Sequence, residues 1–393
     1  METGRTGRVE LVRQVSSSPV PAEERCRLLA APGFGRVFTD HMVTVAWHRD
    51  RGWHDGRMLP YGHIPLDPAT AVLHYAQQVF EGLKAYRQAS GAIVAFRPLA
   101  NAARLNRSAA RMAMPAFPET AFVDAIDTLI TQDREWVPSA PGQSLYLRPY
   151  MIATEKGLAG GQPSSPYLFV LIASPVGPYI AEGQSRSVSV WLEPELVRAS
   201  PGGTGEAKTA GNYAAGFAGQ LRAKEHGCDQ VAWLDACDHR FVEEMGTMNL
   251  FFVYGSGRGA RLVTPCLSGT LLPGVTRDTL LTVARDLGIR AEEGRVSVNE
   301  WEAGCTSGQI SEVFACGTAA VVTAVGMVKS ATGSWSVGDG TPGPVTTQLR
   351  DHLTGIQYGN LPDPHGWIHT ITRCGPADGM RLPDDRLIQI HKH

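Results

Sequence analysis

Hydrophobic and polar residues alternate along the chain with two different periods, which predicts a mixture of helices and strands. Over residues 101–112, Leu105, Ala109 and Met112 recur at helical spacing, and Pro115 ends the pattern. Three arginines occupy other positions of the same segment. The pattern therefore predicts an amphipathic helix that carries several cationic side chains.

Short apolar runs predict strands in both halves of the chain. The runs at 144–154 and 167–176 are rich in apolar and aromatic residues, and a Pro-Val-Gly-Pro breaker ends the second. Beyond the breaker, strand-like and helical segments alternate. This order predicts an α/β or α+β fold with a small N-terminal domain (1–178), a linker (179–186) and a larger C-terminal domain (187–393).

The composition is typical of a packed globular protein. Apolar residues make up 43% and charged residues 19% of the 393 residues, and a chain of this length usually exceeds what one hydrophobic core serves. The formal net charge is −2 and like charges do not cluster, so nothing indicates nucleic acid or an anionic membrane as a partner. Small molecules are the expected partners.

The ends of the chain and its cysteines indicate where the protein is located and whether disulfides or metal sites are expected. The N-terminus lacks the apolar stretch of a signal peptide and no apolar run approaches the ~20 residues of a spanning helix, so we expect a cytoplasmic protein. Seven cysteines form no Cys-x-x-Cys pair, which predicts neither a disulfide framework nor a metal site. The polar segment 370–393 is predicted to be a loosely held tail.

One lysine lies among small residues in the segment PGGTGEAKTAGNYAAG (201–216). The glycines around Lys208 let the backbone and a bound molecule approach closely. Taken alone, a lysine between glycines is more often a solvated loop residue. Lys208 becomes a candidate active-site amine only together with motifs elsewhere in the chain.

Two later turns have features of phosphate-binding sites. In LLPGVTRDTLL, Gly274 and Thr276 stand at the start of a predicted helix, where unpaired amides and the helix dipole attract an anion. An ordinary capped helix is the simpler interpretation. A second turn, from Cys316 to Ala319, follows a predicted strand. Two such turns in one half of the chain favour a phosphate ligand.

Two adjacent glutamates precede the apolar run LFFVY. A carboxylate beside a core is rare without a partner, and a pyridinium nitrogen would be such a partner. Glu244 is the better candidate for this position. Glu243 fits an exposed acidic turn.

Together and in this order, the motifs resemble the branched-chain aminotransferases of the class IV, fold-type IV family of pyridoxal-phosphate enzymes. The resemblance runs from about Phe34 to Trp367 and is strongest to actinobacterial members. Its most specific blocks are FTDHMV, LHYAQQVFEGLKAYR, ARLNRSA, LYLRP, AKTAGNY, EEMGTMNLFFV, LLPGVTRD, EVFACGTAA and LTGIQYG. The resemblance implies a two-domain fold like that of D-amino-acid aminotransferase.

The resemblance also implies a site. Lys208 matches the lysine that forms the Schiff base with pyridoxal 5'-phosphate and acts as the catalytic base. The other residues implied to bind the cofactor are Arg104, Tyr213, Glu244, Thr247, Gly274, Val275, Thr276, Gly317 and Thr318. The residues implied to bind the substrate are Phe34, Tyr75, Phe80, Tyr146, Arg148, Thr318 and Ala319.

The implied activity is a ping-pong transamination between leucine, isoleucine or valine and 2-oxoglutarate, in a homodimer with each active site near the interface. Arg148 is implied to take the distal carboxylate of glutamate. Tyr146 and the amides of Thr318 and Ala319 are implied to take the α-carboxylate. Within the same fold, a D-amino-acid transaminase, an aminodeoxychorismate lyase and a transaminase of secondary metabolism remain alternatives. A non-catalytic phosphate-binding protein is an alternative of another class.

The chain departs from the family pattern in the loop KGLAGGQPSSP (156–166) and in the C-terminal tail, which leaves room for an altered substrate preference, and at two places in the site. Thr209 follows the lysine where many relatives carry a bulkier apolar residue. The redox Cys-x-x-Cys pair of mammalian relatives is absent after Gly317 and Thr318, so thiol regulation of that kind is not expected.

Overall fold

The computed structural model describes residues 9–158, 162–177 and 187–371, and it confirms the predicted mixture of helices and strands. In these ranges the strands form two sheets. Strands of the first sheet are β1 (Leu11–Arg13), β2 (His41–His48), β3 (Gly52–Pro60), β4 (Gln78–Phe80), β5 (Leu83–Arg87), β6 (Ile93–Phe96), β7 (Ser144–Ala153), β8 (Tyr167–Val176) and β18 (Ile368–Thr370). Strands of the second are β9 (Val188–Leu192), β10 (Gln230–Leu234), β11 (Val242–Met245), β12 (Met248–Tyr254), β13 (Arg261–Pro265), β14 (Arg290–Gly294), β15 (Ile310–Gly317), β16 (Val321–Ser330) and β17 (Gly333–Ser336).

Helices cover faces of both sheets. They are α1 (Ala22–Ala30), α2 (Ala71–Tyr75), α3 (Pro98–Arg111), α4 (Glu119–Gln132), α5 (Ala210–Ala214), α6 (Phe217–Glu225), α7 (Val275–Asp286), α8 (Val298–Ser307) and α9 (Pro344–Gln357). Short 3-10 helices lie at Arg134–Trp136 and Gly257–Gly259. No helix among the described residues is long and apolar enough to cross a membrane.

The first sheet has the order β1-β3-β2-β8-β7-β5-β6-β18, with β4 paired to β7. Helix α3 corresponds to the amphipathic helix predicted over 101–112, and it begins earlier because Pro98 fits the first turn. Its buried face, which includes Leu105 and Ala109, packs with α4 against this sheet.

The second sheet closes on itself. Its strands follow the order β11-β10-β9-β16-β15-β12-β13-β14, and β11 also pairs with β12. Strands β9, β10, β11, β12, β15 and β16 therefore form a closed ring. β11 therefore has a paired strand along each of its edges, and its four residues are buried.

The two sheets are joined by a shared apolar core. Tyr86, Val94 and Phe96 of the first sheet pack with Phe251 and Phe314 of the second. Residues from α7 and α9 complete the same cluster. The contact fixes how the edges of the two sheets face each other.

The end of the described chain returns to the first sheet. β18 pairs antiparallel with β6, so this segment does not stay with the second sheet, although the prediction assigned all of 187–393 to the C-terminal domain. The predicted linker at 179–186 and the tail beyond 371 lie outside the described residues.

Candidate active site

A cavity of about 340 Å³ lies between the two sheets. Most of the residues predicted from the sequence line it. These are Phe34, Phe80, Arg104, Tyr146, Arg148, Lys208, Tyr213, Thr247, Gly274, Val275, Thr276, Gly317, Thr318 and Ala319. Residues from distant parts of the sequence thus meet in one place, as a single site requires.

The backbone at Lys208 is tied to the first sheet and to α3. The amide of Lys208 donates to the hydroxyl of Ser108 at 2.9 Å, and its carbonyl accepts from the amide of Phe80 at 3.0 Å. The Nζ atom donates to the hydroxyl of Tyr213 at 2.6 Å. Since Tyr213 lies in α5, directly after the lysine, local structure places amine and phenol together in the cavity.

Glu244 lies on β11, directly behind the cavity wall, and is 2% exposed. Its Oε1 accepts from the amide of Leu272 at 2.8 Å and from Nδ2 of Asn249 at 3.2 Å, and both of these residues line the cavity. Its Oε2 forms an ion pair with Nε of Arg198 at 3.0 Å. Burial raises the pKa of Glu244, although the Arg198 guanidinium opposes this shift. The site therefore holds a buried carboxylate that a cationic N–H partner would stabilise in its ionised form.

The prediction that Glu243 lies in an exposed acidic turn is wrong. Glu243 is buried, and the Thr270 hydroxyl donates to its Oε1. Its Oε2 has no hydrogen-bond partner among the described residues, and burial raises the pKa of this carboxyl. Both faces of β11 are buried, with Glu243 against Thr270 and Glu244 against Leu272 and Arg198, which an alternating pattern in the sequence does not reveal.

Backbone amides and one arginine meet at the start of α7, where Gly274, Val275 and Thr276 line the cavity. Arg104 is buried in α3 and makes two bonds to Glu81, at 2.7 and 2.8 Å. Its Nη1 also donates to the Pro273 carbonyl at 3.3 Å, which places it beside the start of α7. No side chain caps α7 at Gly274, so amides of its first turn are free to bind an anion.

Gly274 itself is required by close packing. A Cβ at this position would lie 2.1 Å from Oδ1 of Asn249, too near for any larger residue without movement. Asn249 also donates to the Leu272 carbonyl at 3.0 Å. The asparagine therefore ties the turn before α7 to the carboxylate of Glu244.

The part of the wall around Arg148 consists of aromatic rings. The rings of Phe34 and Tyr146 meet edge to face at 5.2 Å. Cζ of Arg148 lies 4.9 Å from the centre of the Phe80 ring and 5.4 Å from that of Tyr146. Nη2 of Arg148 donates to the Tyr146 hydroxyl at 3.1 Å, and no described residue forms an ion pair with this arginine. An apolar wall with an uncompensated guanidinium suits ligands that are apolar or that end in an anion.

Tyr75 is not brought into the cavity of its own chain. It ends α2, is 48% exposed, and its hydroxyl donates to the Leu158 carbonyl at 2.7 Å. Its predicted role as a substrate-binding residue stays a prediction.

Several residues at the site were not singled out from the sequence. Arg198 lies well before its partner Glu244, in a loop without a distinctive motif, so no local signal marks it. Glu81 and Asn249 lie inside recognised blocks, but their bonds become visible only in the folded chain.

Known proteins resemble this chain in amino-acid sequence over most of its length. The family described as amino-transferase class IV matches residues 78–328. The branched-chain-amino-acid aminotransferase of Mycolicibacterium smegmatis is 56% identical over 92% of this chain and 98% of its own length. A probable branched-chain-amino-acid aminotransferase of Streptomyces coelicolor is 55% identical over 91% and 97%.

Solved structures agree with these relatives. The Escherichia coli branched-chain amino acid aminotransferase is 25% identical, with a TM-score of 0.71 over 85% of this chain and 99% of that one. The T.th. enzyme of the same name, solved with pyridoxamine 5'-phosphate, is 27% identical, with a TM-score of 0.69 over 84% and 98%. The predicted fold, and the resemblance to actinobacterial sequences, are confirmed.

Proposed function

Because the chain belongs to the class IV aminotransferase family, we propose that it transfers amino groups between branched-chain L-amino acids and 2-oxoglutarate, with pyridoxal 5'-phosphate as cofactor. The observation that carries the proposal is the amine of Lys208, held 2.6 Å from the Tyr213 hydroxyl in the cavity that the rings of Phe34 and Phe80 and the guanidinium of Arg148 also line. The relatives named for this reaction span nearly the whole chain.

The residues around the cavity fit the cofactor. Bound pyridoxal 5'-phosphate supplies an aldehyde and an electron-accepting ring. Lys208 is the amine for the aldehyde, Tyr213 binds the phenolic oxygen, and Glu244 stabilises the charged ring nitrogen. The phosphate group fits beside the first turn of α7 and the turn at Thr318, where free amides are available, and beside Nη1 of Arg104, the guanidinium nitrogen that does not bond Glu81.

Lys208 is also the group that moves the proton. With cofactor and donor amino acid bound, the Lys208 amine would take the proton from the donor's α-carbon and deliver it to the carbon that carried the cofactor's aldehyde. The Tyr213 hydroxyl, which accepts a hydrogen bond from Nζ, keeps the amine directed into the cavity. The second half-reaction passes the amino group to 2-oxoglutarate by the same steps in reverse.

A panel of amino donors tests this function. Purified protein reconstituted with the cofactor should show its visible or near-ultraviolet absorption and should form glutamate from L-leucine, L-isoleucine and L-valine with 2-oxoglutarate. Turnover of D-alanine but not L-leucine would favour a D-amino-acid transaminase instead. Protein absorption alone, with no cofactor band, would indicate a non-catalytic member of the fold.

Tyr75 fits this proposal if two chains assemble. Its ring is half exposed and does not line the cavity of its own chain, so we assign it to the substrate cavity of the second subunit of a homodimer. Light scattering should then give about twice the 42.3 kDa chain mass. A monomer with full activity would contradict the assignment.

Replacing Glu244 by glutamine should leave the cofactor bound but slow turnover about ten- to a hundredfold. A neutral amide cannot stabilise a ring N–H⁺ by charge. The free energy lost with a charge-assisted hydrogen bond corresponds to a rate change of about this size. The rate of each half-reaction, followed by cofactor absorbance, measures the effect.

Glu243→Gln is the matched control for this substitution. The amide oxygen can still accept from the Thr270 hydroxyl, and the side chain lies on the other face of β11 from Glu244. The rate should therefore change little. A large loss in Glu243→Gln with little in Glu244→Gln would mean that the ring carboxylate is the wrong one of the pair.

A further inference from the structure

A second lysine, Lys84, is buried at the junction of the two sheets. It lies on β5 with 6% of its surface exposed, and no described residue forms an ion pair with it. Its Nζ donates to the carbonyl of Ala319 at 3.0 Å. Burial lowers the pKa of Lys84 to about 8. An unpaired ammonium in such a place costs free energy, which indicates a role that needs the charge.

The carbonyl that Lys84 holds belongs to the turn from Gly317 to Ala320. Gly317 and Thr318 line both the main cavity and a smaller one that also contains Lys84, so the turn forms the partition between the two together with Val275 and Thr276 at the start of α7. The Thr318 hydroxyl donates to the carbonyl of Gly82 at 2.9 Å. Gly82 and Lys84, at the start of β5, thus hydrogen-bond to two successive residues of the turn, Thr318 and Ala319.

The turn ends in strained backbone. Val321 has a φ of 59°, a left-handed conformation that is rare for a β-branched residue. Such conformations cost free energy and persist only where their surroundings impose them. The bonds from Lys84 to Ala319 and from Thr318 to Gly82 lie close to Val321 along the chain and supply part of that constraint.

The bond from Lys84 fixes the direction of one peptide group. In a planar trans peptide the carbonyl and the following N–H point in opposite directions. The Ala319 carbonyl points to Lys84, so the N–H of Ala320 points away from it, and Ala320 lines the main cavity. The positive charge therefore lies at the carbonyl end of the Ala319–Ala320 peptide dipole, whose amide end suits an anion and directly follows the amides of Thr318 and Ala319 that are implied to bind the α-carboxylate.

We propose that Lys84 is a positioning residue for the substrate α-carboxylate, holding the Gly317–Ala320 turn in the orientation that binds it. This inference rests on the proposed transamination, in which donor and acceptor share that carboxylate. Lys84 is the cross-strand neighbour of Tyr146, on the side of the cavity that holds Arg148. The phosphate side already has its own cation, Arg104.

Few other groups near Lys84 can change charge near neutral pH. Burial raises the pKa of Tyr86, its neighbour on β5, so this phenol stays neutral. The guanidinium of Arg104, on α3, is already paired with Glu81. The other polar side chains that face Lys84 from packed elements are Tyr146 on β7, Asn101 on α3, Thr276 on α7, Thr318 in the turn and Gln357 on α9. Lys84 is therefore the group expected to titrate there around pH 8.

Binding of 4-methylvalerate, which is leucine without its amino group, tests the proposal. On cofactor-loaded enzyme at pH 7, Lys84→Met should weaken its binding about tenfold, a typical scale for one charge near a dipole end. Binding of the neutral amide of the same acid should not change. Lys84→Arg, which keeps the charge, should retain most of the affinity.

The pH dependence gives a second readout. Lys84 is charged below its pKa, so wild-type affinity for 4-methylvalerate should be high at pH 7 and fall as the pH rises through about 8. Lys84→Met should bind weakly at both ends of that range and Lys84→Arg tightly at both. Titration of the cofactor itself is common to all three proteins and cancels in their ratios.

Three results would overturn the proposal. The first is equal loss for the acid and its amide, which would indicate collapse of the wall. The second is a pH profile in Lys84→Met that parallels the wild type. The third concerns the cofactor-free proteins. If Lys84→Met binds pyridoxine 5'-phosphate more weakly than the wild type, while its binding of pyridoxine and of 4-methylvalerate is unchanged, Lys84 would be assigned to the phosphate. Wild-type protein that binds 4-methylvalerate as expected but transaminates nothing would contradict the proposed function alone.

Discussion

Lys208→Ala is expected to lower transamination by roughly 10⁴-fold, the upper range for loss of a positioned proton-transferring group. Among the described residues no other amine reaches the same place, because Lys84 is directed to the far side of the Gly317–Ala320 turn. The cofactor should still bind without a covalent link, since the residues that fit its phosphate and its ring nitrogen are unchanged. Single-turnover absorbance changes with L-leucine measure the loss.

The fold should survive this substitution. The backbone bonds of Lys208 to Ser108 and Phe80 involve its amide and carbonyl, which alanine retains. A small primary amine such as ethylamine should restore part of the rate, because it can enter the space that the side chain vacates. Lys224→Ala, an exposed lysine on α6, is the matched control and should be silent. Activity of Lys208→Ala above a few per cent of wild type would refute the assignment.

Arg148→Met is expected to raise the apparent KM for 2-oxoglutarate by roughly ten- to a thousandfold, while the leucine half-reaction changes much less. One cavity must accept an apolar side chain and a carboxylate-terminated one, and an unpaired buried carboxylate costs several kcal/mol. A lost charge-assisted pair of about 1.5–4 kcal/mol corresponds to the stated range.

The surroundings of Arg148 explain how its charge is tolerated when the substrate is apolar. The guanidinium lies over the rings of Phe80 and Tyr146, and each such contact stabilises a cation by about 0.5–2 kcal/mol. It also donates to the Tyr146 hydroxyl. With leucine bound these contacts remain, and with glutamate bound the distal carboxylate adds to them.

Separate half-reactions distinguish this role from a structural one. Pre-steady-state absorbance with leucine and with glutamate gives a rate and an affinity for each. Arg148→Lys should be intermediate, because it keeps the charge but loses the planar fork. Equal losses for leucine and glutamate would mean that Arg148 maintains the fold of β7, or serves the α-carboxylate common to both substrates.

The sequence by itself determined the parts of the site that are local. Lys208 and Tyr213 are close neighbours in the chain, and Gly274 to Thr276 form one helix start, so a short motif contains the whole arrangement. The helix predicted over 101–112 followed from its period, because one face must be buried. Recognised blocks then indicated which distant segments share the cavity.

Only the tertiary structure showed which side chains from elsewhere in the chain contact the residues of those blocks. Glu243 is buried where Thr270, from a later segment of the chain, packs against it, and the pairing of Glu244 with Arg198 depends on a loop folding back onto β11. Lys84 sits in a run that alternates like any strand, yet a second sheet covers its outer face. Burial of a charge depends on what packs against it from elsewhere in the chain, and neighbours in sequence do not specify that contact.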